Sequence, residues 1–230
     1  MKNVTAALVL SLFIGSTVHA QDDRSVRLGI KLAPNMGFLS PDTKGLSSDG
    51  SRLGFTFGLM SDFMLGTNKN YAFSTGLYLN NVGGKLKQNV AYIVDGQARE
   101  GALSSELKLQ YIEVPLTIKL LTNEIGYMRY FGQLGFGPAF NIAAKATTTV
   151  PQGSGIEAMD DEDFQDNIAL FRASLVVGAG LEYNFSGNTS LMAGVNYSNG
   201  FTNTLNDLEV DGKNAQAKQH YVELNVGVFF

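Results

Sequence analysis

From Tyr221 to Phe230 the chain alternates with a period of two: Val222, Leu224, Val226, Val228 and Phe230 hold one phase, and Glu223, Asn225 and Gly227 hold the other. Such a segment is a strand with one apolar face and one polar face. A membrane β-barrel uses strands of this kind, because one face meets lipid and the other a polar interior. The terminal Phe230 is expected to serve as an insertion signal.

Seven further segments keep the same period, at residues 25–37, 53–65, 71–82, 107–121, 128–144, 168–183 and 189–198. Each is near or above the roughly 9 to 11 residues that a tilted strand needs to cross a bilayer. Their polar phases are rich in glycine and carry Arg27, Lys31, Asp62, Glu113, Lys119, Arg129, Arg172 and Glu182, to which the last strand adds Glu223. A soluble sandwich or lipocalin-like barrel also alternates, but its apolar phase points inward. So many charges on one face do not suit a soluble core and do suit a membrane-barrel lumen.

Connection lengths alternate too: residues 38–52, 83–106, 145–167 and 199–220 are long, and 66–70, 122–127 and 184–188 are short and rich in Gly and Asn. The expected fold is therefore all-β, an eight-stranded antiparallel transmembrane β-barrel with short periplasmic turns, long extracellular loops and both termini periplasmic. Tyr71, Tyr130, Tyr183, Tyr197 and Tyr221 fall near strand ends as candidate interfacial aromatics. Pro115 and Pro138 lie inside strands, where a missing amide hydrogen breaks a ladder bond, so a β-bulge is expected near each.

The start of the chain has the shape of a secretory signal, with Lys2, an apolar run from Val4 to Ile14, and Val18-His19-Ala20 before the cleavage point. Residues 1–20 are read as the cleaved signal and 21–230 as the barrel. The apolar run is too short to span a bilayer as a helix. Cysteine is absent and the net charge is −4, so neither a disulfide framework nor the basic stripe of a nucleic-acid binder is present.

Eight strands enclose a space that side chains fill, which disfavours a broad pore. The nine lumen charges are expected to pair as a plug, because an unpaired charge in a water-poor interior is costly. An ion path or small-solute site is the alternative. Acid-base chemistry would fall to His220, with Ser198 and Asp207 nearby in sequence, but nothing in the pattern brings them within hydrogen-bond reach. No catalytic, cofactor or metal site is expected. The acidic run Glu157, Asp160, Asp161, Glu162, Asp163 and Asp166 lacks the spacing of an EF-hand and reads as a solvated loop rather than a calcium site.

At Tyr111-Ile112-Glu113-Val114-Pro115-Leu116-Thr117-Ile118-Lys119, followed by Tyr130-Phe131-Gly132-Gln133-Leu134-Gly135-Phe136-Gly137-Pro138, the chain resembles the PorT-like family of small outer-membrane barrels. The resemblance spans nearly all of the chain after the signal. It implies an eight-stranded barrel in the outer membrane of a Gram-negative cell, and one branch of the family is linked to protein export. The expected function is thus a non-enzymatic barrel that is an accessory in export or assembly at the cell surface. A structural or adhesive surface barrel is the alternative, followed by a narrow channel or rim enzyme. Expected partners are outer-membrane lipid, the barrel-insertion machinery and an outer-membrane or secreted protein.

Overall fold

The computed structural model describes residues 25–94, 97–152, 155–186, 189–210 and 212–230. The expected signal, residues 1–20, lies outside them. The strands in chain order are β1 (Val26–Pro41), β2 (Leu46–Leu65), β3 (Tyr71–Val94), β4 (Gln97–Glu113), β5 (Leu116–Leu121), β6 (Met128–Phe136), β7 (Ala139–Gln152), β8 (Gly155–Asp163), β9 (Phe171–Arg172), β10 (Ser174–Ser186), β11 (Thr189–Gly200), β12 (Glu209–Val210), β13 (Lys213–Asn214) and β14 (Ala217–Phe229). A 3-10 turn at Gln165–Asn167 is the sole helical element among the described residues.

All pairings are antiparallel, and they close a ring. Strands β4 and β5 continue one another as a single stave, as do β6 and β7, and β9 and β10. With β1, β2, β3, β11 and β14 they make eight staves, and β8 stands outside the ring, paired with β7 alone. The short turns and both described chain ends share one rim, since Val26 faces Phe63 and Gly29 faces Phe229. We call this the turn rim and the opposite end the hairpin rim.

The alternation read from the sequence is the alternation of burial. Along β1, Gly29, Lys31, Ala33, Asn35, Gly37 and Leu39 are buried, whereas Ile30, Leu32, Pro34 and Met36 are exposed. Around the ring the outward phase forms a belt that includes Leu59, Leu77, Ile118, Leu134, Val177, Val195 and Leu224, all large apolar side chains left exposed. A soluble monomer rarely shows a continuous apolar surface of that extent; a bilayer is the environment that satisfies it.

Three expectations are corrected. Segments 38–52, 83–106 and 145–167, expected as loops, are largely paired strand: β3 and β4 pair from Tyr78 with Glu113 to Val94 with Gln97, and β7 continues into the β8 hairpin. The apolar phase that marks a strand in the sequence ends where lipid ends, but the backbone ladder continues without it. Second, neither Pro115 nor Pro138 carries a bulge. Glu113 faces Ala139 and Leu116 faces Phe136, three residues further on both strands, so the ladder has a gap and no inserted residue. The two prolines sit in the same gap, bridged by the Val114 amide donating to the Pro138 carbonyl (3.0 Å). The register shift on this wall falls instead between Gln110 and Tyr111, where Ile142 is the extra residue on β7. Third, Tyr221 is not interfacial; it belongs to the inward phase of β14 and is buried.

At the hairpin rim the last long connection folds back over the mouth. Leu205 bridges Ile168, and both pack with Val210 and Ala215 against Leu39, Val82, Leu86, Leu107 and Leu109 on the inner wall. Full burial of each of these leucine, isoleucine and valine side chains contributes about 1.5 to 3 kcal/mol.

Candidate functional site

Strand alternation sends Arg27, Lys31, Asp62, Glu113, Lys119, Arg172, Glu182 and Glu223 into the lumen, and closure of the ring brings residues far apart in sequence together. Nearest the turn rim, Arg27 donates to Glu182 through both terminal nitrogens (2.8 and 3.0 Å) and to Asp62 (2.8 Å). Lys119 Nζ donates to the same two carboxylates, at 2.9 Å to Asp62 and 2.5 Å to Glu182. Ser74 Oγ adds a donor to Asp62 (2.5 Å). Glu182 is 0% exposed and Lys119 is 1% exposed, and Asp62 is buried with them, while Arg27 closes the cluster on the side of the turn rim with its side chain 14% exposed.

Midway, Lys31 Nζ donates to Glu223 Oε1 (2.6 Å), which also accepts from Asn196, itself held by Gln133. Toward the hairpin rim, Glu113 accepts from Tyr221 Oη (3.0 and 2.9 Å) and Asn80 Nδ2 (3.0 Å). Arg172 Nη1 lies 3.8 Å from Glu113, and Nη2 donates to Ser198 Oγ and the Gln219 carbonyl. Arg129, grouped with these residues from the sequence, sits apart at the turn rim. It donates to the backbone carbonyls of Lys69 (2.7 Å) and Thr122 (3.1 Å) rather than to a carboxylate.

Each of the four lumen cations also lies over an aromatic ring: Arg27 over Phe229 (4.4 Å), Lys31 over Tyr78 (4.4 Å), Lys119 over Phe131 (4.4 Å) and Arg172 over Tyr221 (5.3 Å). The ring quadrupole favours this placement, and the stacking also excludes water. Sequence reasoning missed these aromatic seats. The available signal was their phase, since Tyr78, Phe131, Tyr221 and Phe229 alternate with the lipid-facing residues. Gly180 and Gly194, directly opposite on β10 and β11, give Phe131 its room; a Cβ on Gly180 would stand 2.7 Å from the ring edge.

Between the layers is a cavity of about 50 Å³ lined by Lys31, Asp62, Glu113, Asn196, Glu223 and Asn225 among others. It has room for ordered waters. Glu223 Oε2 and Asn225 Oδ1 are buried acceptors without a protein donor, the positions such waters would serve.

The other candidate residues stay apart. Ser198 points into the lumen opposite Tyr221, whereas His220 is one residue out of phase and stacks on Phe38 (5.4 Å). Asp207 accepts from its neighbour Asn206 in the folded-back segment. In the acidic run, Asp161 takes Lys108 (2.7 Å) and Asp163 accepts the Gln165 amide. Among the described residues no three His, Cys, Asp or Glu side chains converge on a metal position. Phe230 is exposed at the turn rim, its amide donating to Leu28.

A sequence model of the family described as outer membrane protein beta-barrel domain matches residues 19–181, more than half of the 230-residue chain. No curated protein matches the chain. Among solved structures, Neisserial surface protein A is similar at 14% identity, covering 90% of this chain and 96% of that one with a TM-score of 0.48. The attachment invasion locus protein of Yersinia pestis is similar at 18% identity, covering 90% and 100% with a TM-score of 0.39. The outer membrane protease of Escherichia coli is similar at 9% identity, covering 89% and 94% with a TM-score of 0.42. The family match, on a chain whose strands close into eight staves behind an apolar belt, makes this protein a member of the outer membrane protein beta-barrel domain family, integral to the outer membrane.

Proposed function

We propose that this chain is a non-enzymatic scaffold of the outer membrane, with its turn rim and both chain ends in the periplasm and its hairpin rim outside the cell. It acts as an accessory in protein export or assembly at the cell surface, the role linked to one branch of the PorT-like family that residues 111–119 and 130–138 resemble. On this reading residues 1–20 are removed as a signal, and Phe230 is recognised by the barrel-insertion machinery. The belt meets outer-membrane lipid, and the hairpins engage an outer-membrane or secreted protein.

The observation that carries the reading is that the lumen is filled while the wall is extended. Paired charges and an apolar cap occupy the interior, and β3, β4, β7 and β8 continue as paired backbone beyond the belt. A filled lumen offers a solute little, and binding surfaces most often lie on segments held by a rigid scaffold. A deletion strain, compared with its parent by quantitative proteomics of outer-membrane and secreted fractions, should lose exported proteins selectively. Unchanged fractions would favour the second reading, a structural or adhesive barrel, which the same projecting hairpins support. In planar bilayers the purified protein should give no stable conductance steps; such steps would overturn the sealed lumen.

A further inference from the structure

On the outer side of the wall, immediately beyond the belt, strand pairing sets two lysines against each other. Lys108 on β4 stands directly opposite Lys145 on β7. Both face outward, because their neighbours Leu107, Leu109, Ala144 and Ala146 are buried inside. Like charges directly opposite across a ladder destabilise it, so this pair breaks a local rule that the rest of the wall obeys. Two more cations adjoin it. Arg52 crosses the outward side of Gly83, its Cδ 3.1 Å from where a Cβ on that glycine would be, and Lys85 flanks the same spot.

Among the described residues, two carboxylates lie within 4 Å of these four cations. Glu106 meets Arg52 (3.3 Å) and Lys85 (3.5 Å), and Asp161 meets Lys108 (2.7 Å). Lys108, with Lys145 and Arg52 further off, holds the Asp161 carboxyl below its usual range. Lys145 has no carboxylate within 4 Å among the described residues; its cross-strand neighbour Asp163 accepts the Gln165 amide through Oδ1. With Asp163 counted, the four cations face three carboxylates, and the patch keeps an excess of one positive charge.

Its height is as informative as its charge. Directly below are the Gln110 and Asn81 side chains, hydrogen-bonded to each other (3.0 Å), and below them the exposed apolar Ile112, Phe140 and Ile142. Four residues separate Lys108 from Ile112, which on a tilted strand is a rise of about 10 Å, the level of lipid headgroups just outside the hydrocarbon. We propose that Arg52, Lys85, Lys108 and Lys145 bind the phosphate groups of a phosphorylated glycolipid in the outer leaflet, seating one such lipid against the β3–β4–β7 wall. This rests on the reading that places the hairpin rim outside the cell.

The test uses the full folded chain in phosphatidylcholine nanodiscs with a fixed fraction of lipopolysaccharide, with its dephosphorylated form, or with neither. The triple variant K85Q/K108Q/K145Q is compared with wild type, its folding checked by heat-modifiable mobility. Wild type should retain phosphorylated lipopolysaccharide, and the variant should bind it on the order of 100-fold more weakly, from about a kilocalorie per mole for each lysine near a charged surface. Dephosphorylated lipopolysaccharide should bind wild type as weakly, and inorganic phosphate at matched concentration should not compete. Equal retention by variant and wild type, or equal binding of the two lipid forms, overturns the proposal; so does competition by inorganic phosphate, which would make the patch a free-anion site. Orientation is read separately with Asn89→Cys and Asn68→Cys, since the native chain has no cysteine. A membrane-impermeant maleimide should label the first on intact cells and not the second. The reverse pattern would overturn the orientation and the lipid site together, whereas correct labelling with equal retention would overturn the lipid site alone.

Discussion

Glu182 accepts from both Arg27 and Lys119 with no access to solvent, so without its charge those two cations would have Asp62 alone to share. Glu182→Gln is therefore expected to destabilise the barrel by about 3 to 5 kcal/mol, the usual cost of stranding a buried charge. Urea unfolding in detergent micelles would measure it. Arg129 is the control: it is partly exposed and bonded to carbonyls at the rim, so Arg129→Gln should cost no more than about 1 kcal/mol. On the other face, Leu224 is exposed in the middle of β14. Leu224→Arg should destabilise insertion by about 2 to 4 kcal/mol if that side chain meets lipid near the midplane. A folded, heat-resistant barrel carrying that arginine without penalty would reverse the assignment of faces.

At the scale of elements, strand prolines are accommodated without changing register. Pro34 leaves Ala33 and itself unpaired on the β14 side, yet Leu32 still faces Val226 and Asn35 still faces Glu223. Pro115 and Pro138 share one gap, which limits the loss to a single place in the ladder. Pro115→Ala should thus change stability by less than about 1 kcal/mol, mostly through the unfolded chain, and leave the pairings of Glu113 with Ala139 and Leu116 with Phe136 intact by cross-strand NMR contacts. A slipped register in that variant would mean that the proline had been holding it. β8 raises a different problem, because a strand paired on one side invites another chain. Asp160, Asp161, Glu162 and Asp163 charge it, and a bulge that puts Asp161 at φ 53° twists it away from flat pairing.

Over the whole molecule, a ring of hydrogen bonds supports two separate interiors: a charged one within the belt and an apolar one above it, sealed by the segment that carries Leu205. Leu205 is 2% exposed and belongs to that cap rather than to the ring. Leu205→Ala should cost about 2 to 5 kcal/mol locally. Amide hydrogen exchange should then quicken across residues 201–210 and 212–216 while β11 and β14 stay protected. Equal quickening in those two strands would mean that the cap and the barrel open as one unit.

The period of two, the inward charges and the alternation of connection lengths were legible in the sequence because each reflects a local condition: lipid on one face, a polar interior on the other, tight turns at one rim. That determined the strand phases, the eight staves and eight of the nine inward charges that meet in the lumen. It could not tell which charges meet, because Arg27 and Glu182 lie 155 residues apart and share a height only through the stagger at which the ring closes. For the same reason the aromatic seats, the place of Arg129 at the rim and the pairing of Lys108 with Lys145 were decided by tertiary structure. The long hairpins were hidden too: beyond the lipid, hydrogen bonds keep a strand paired with no apolar face to betray it.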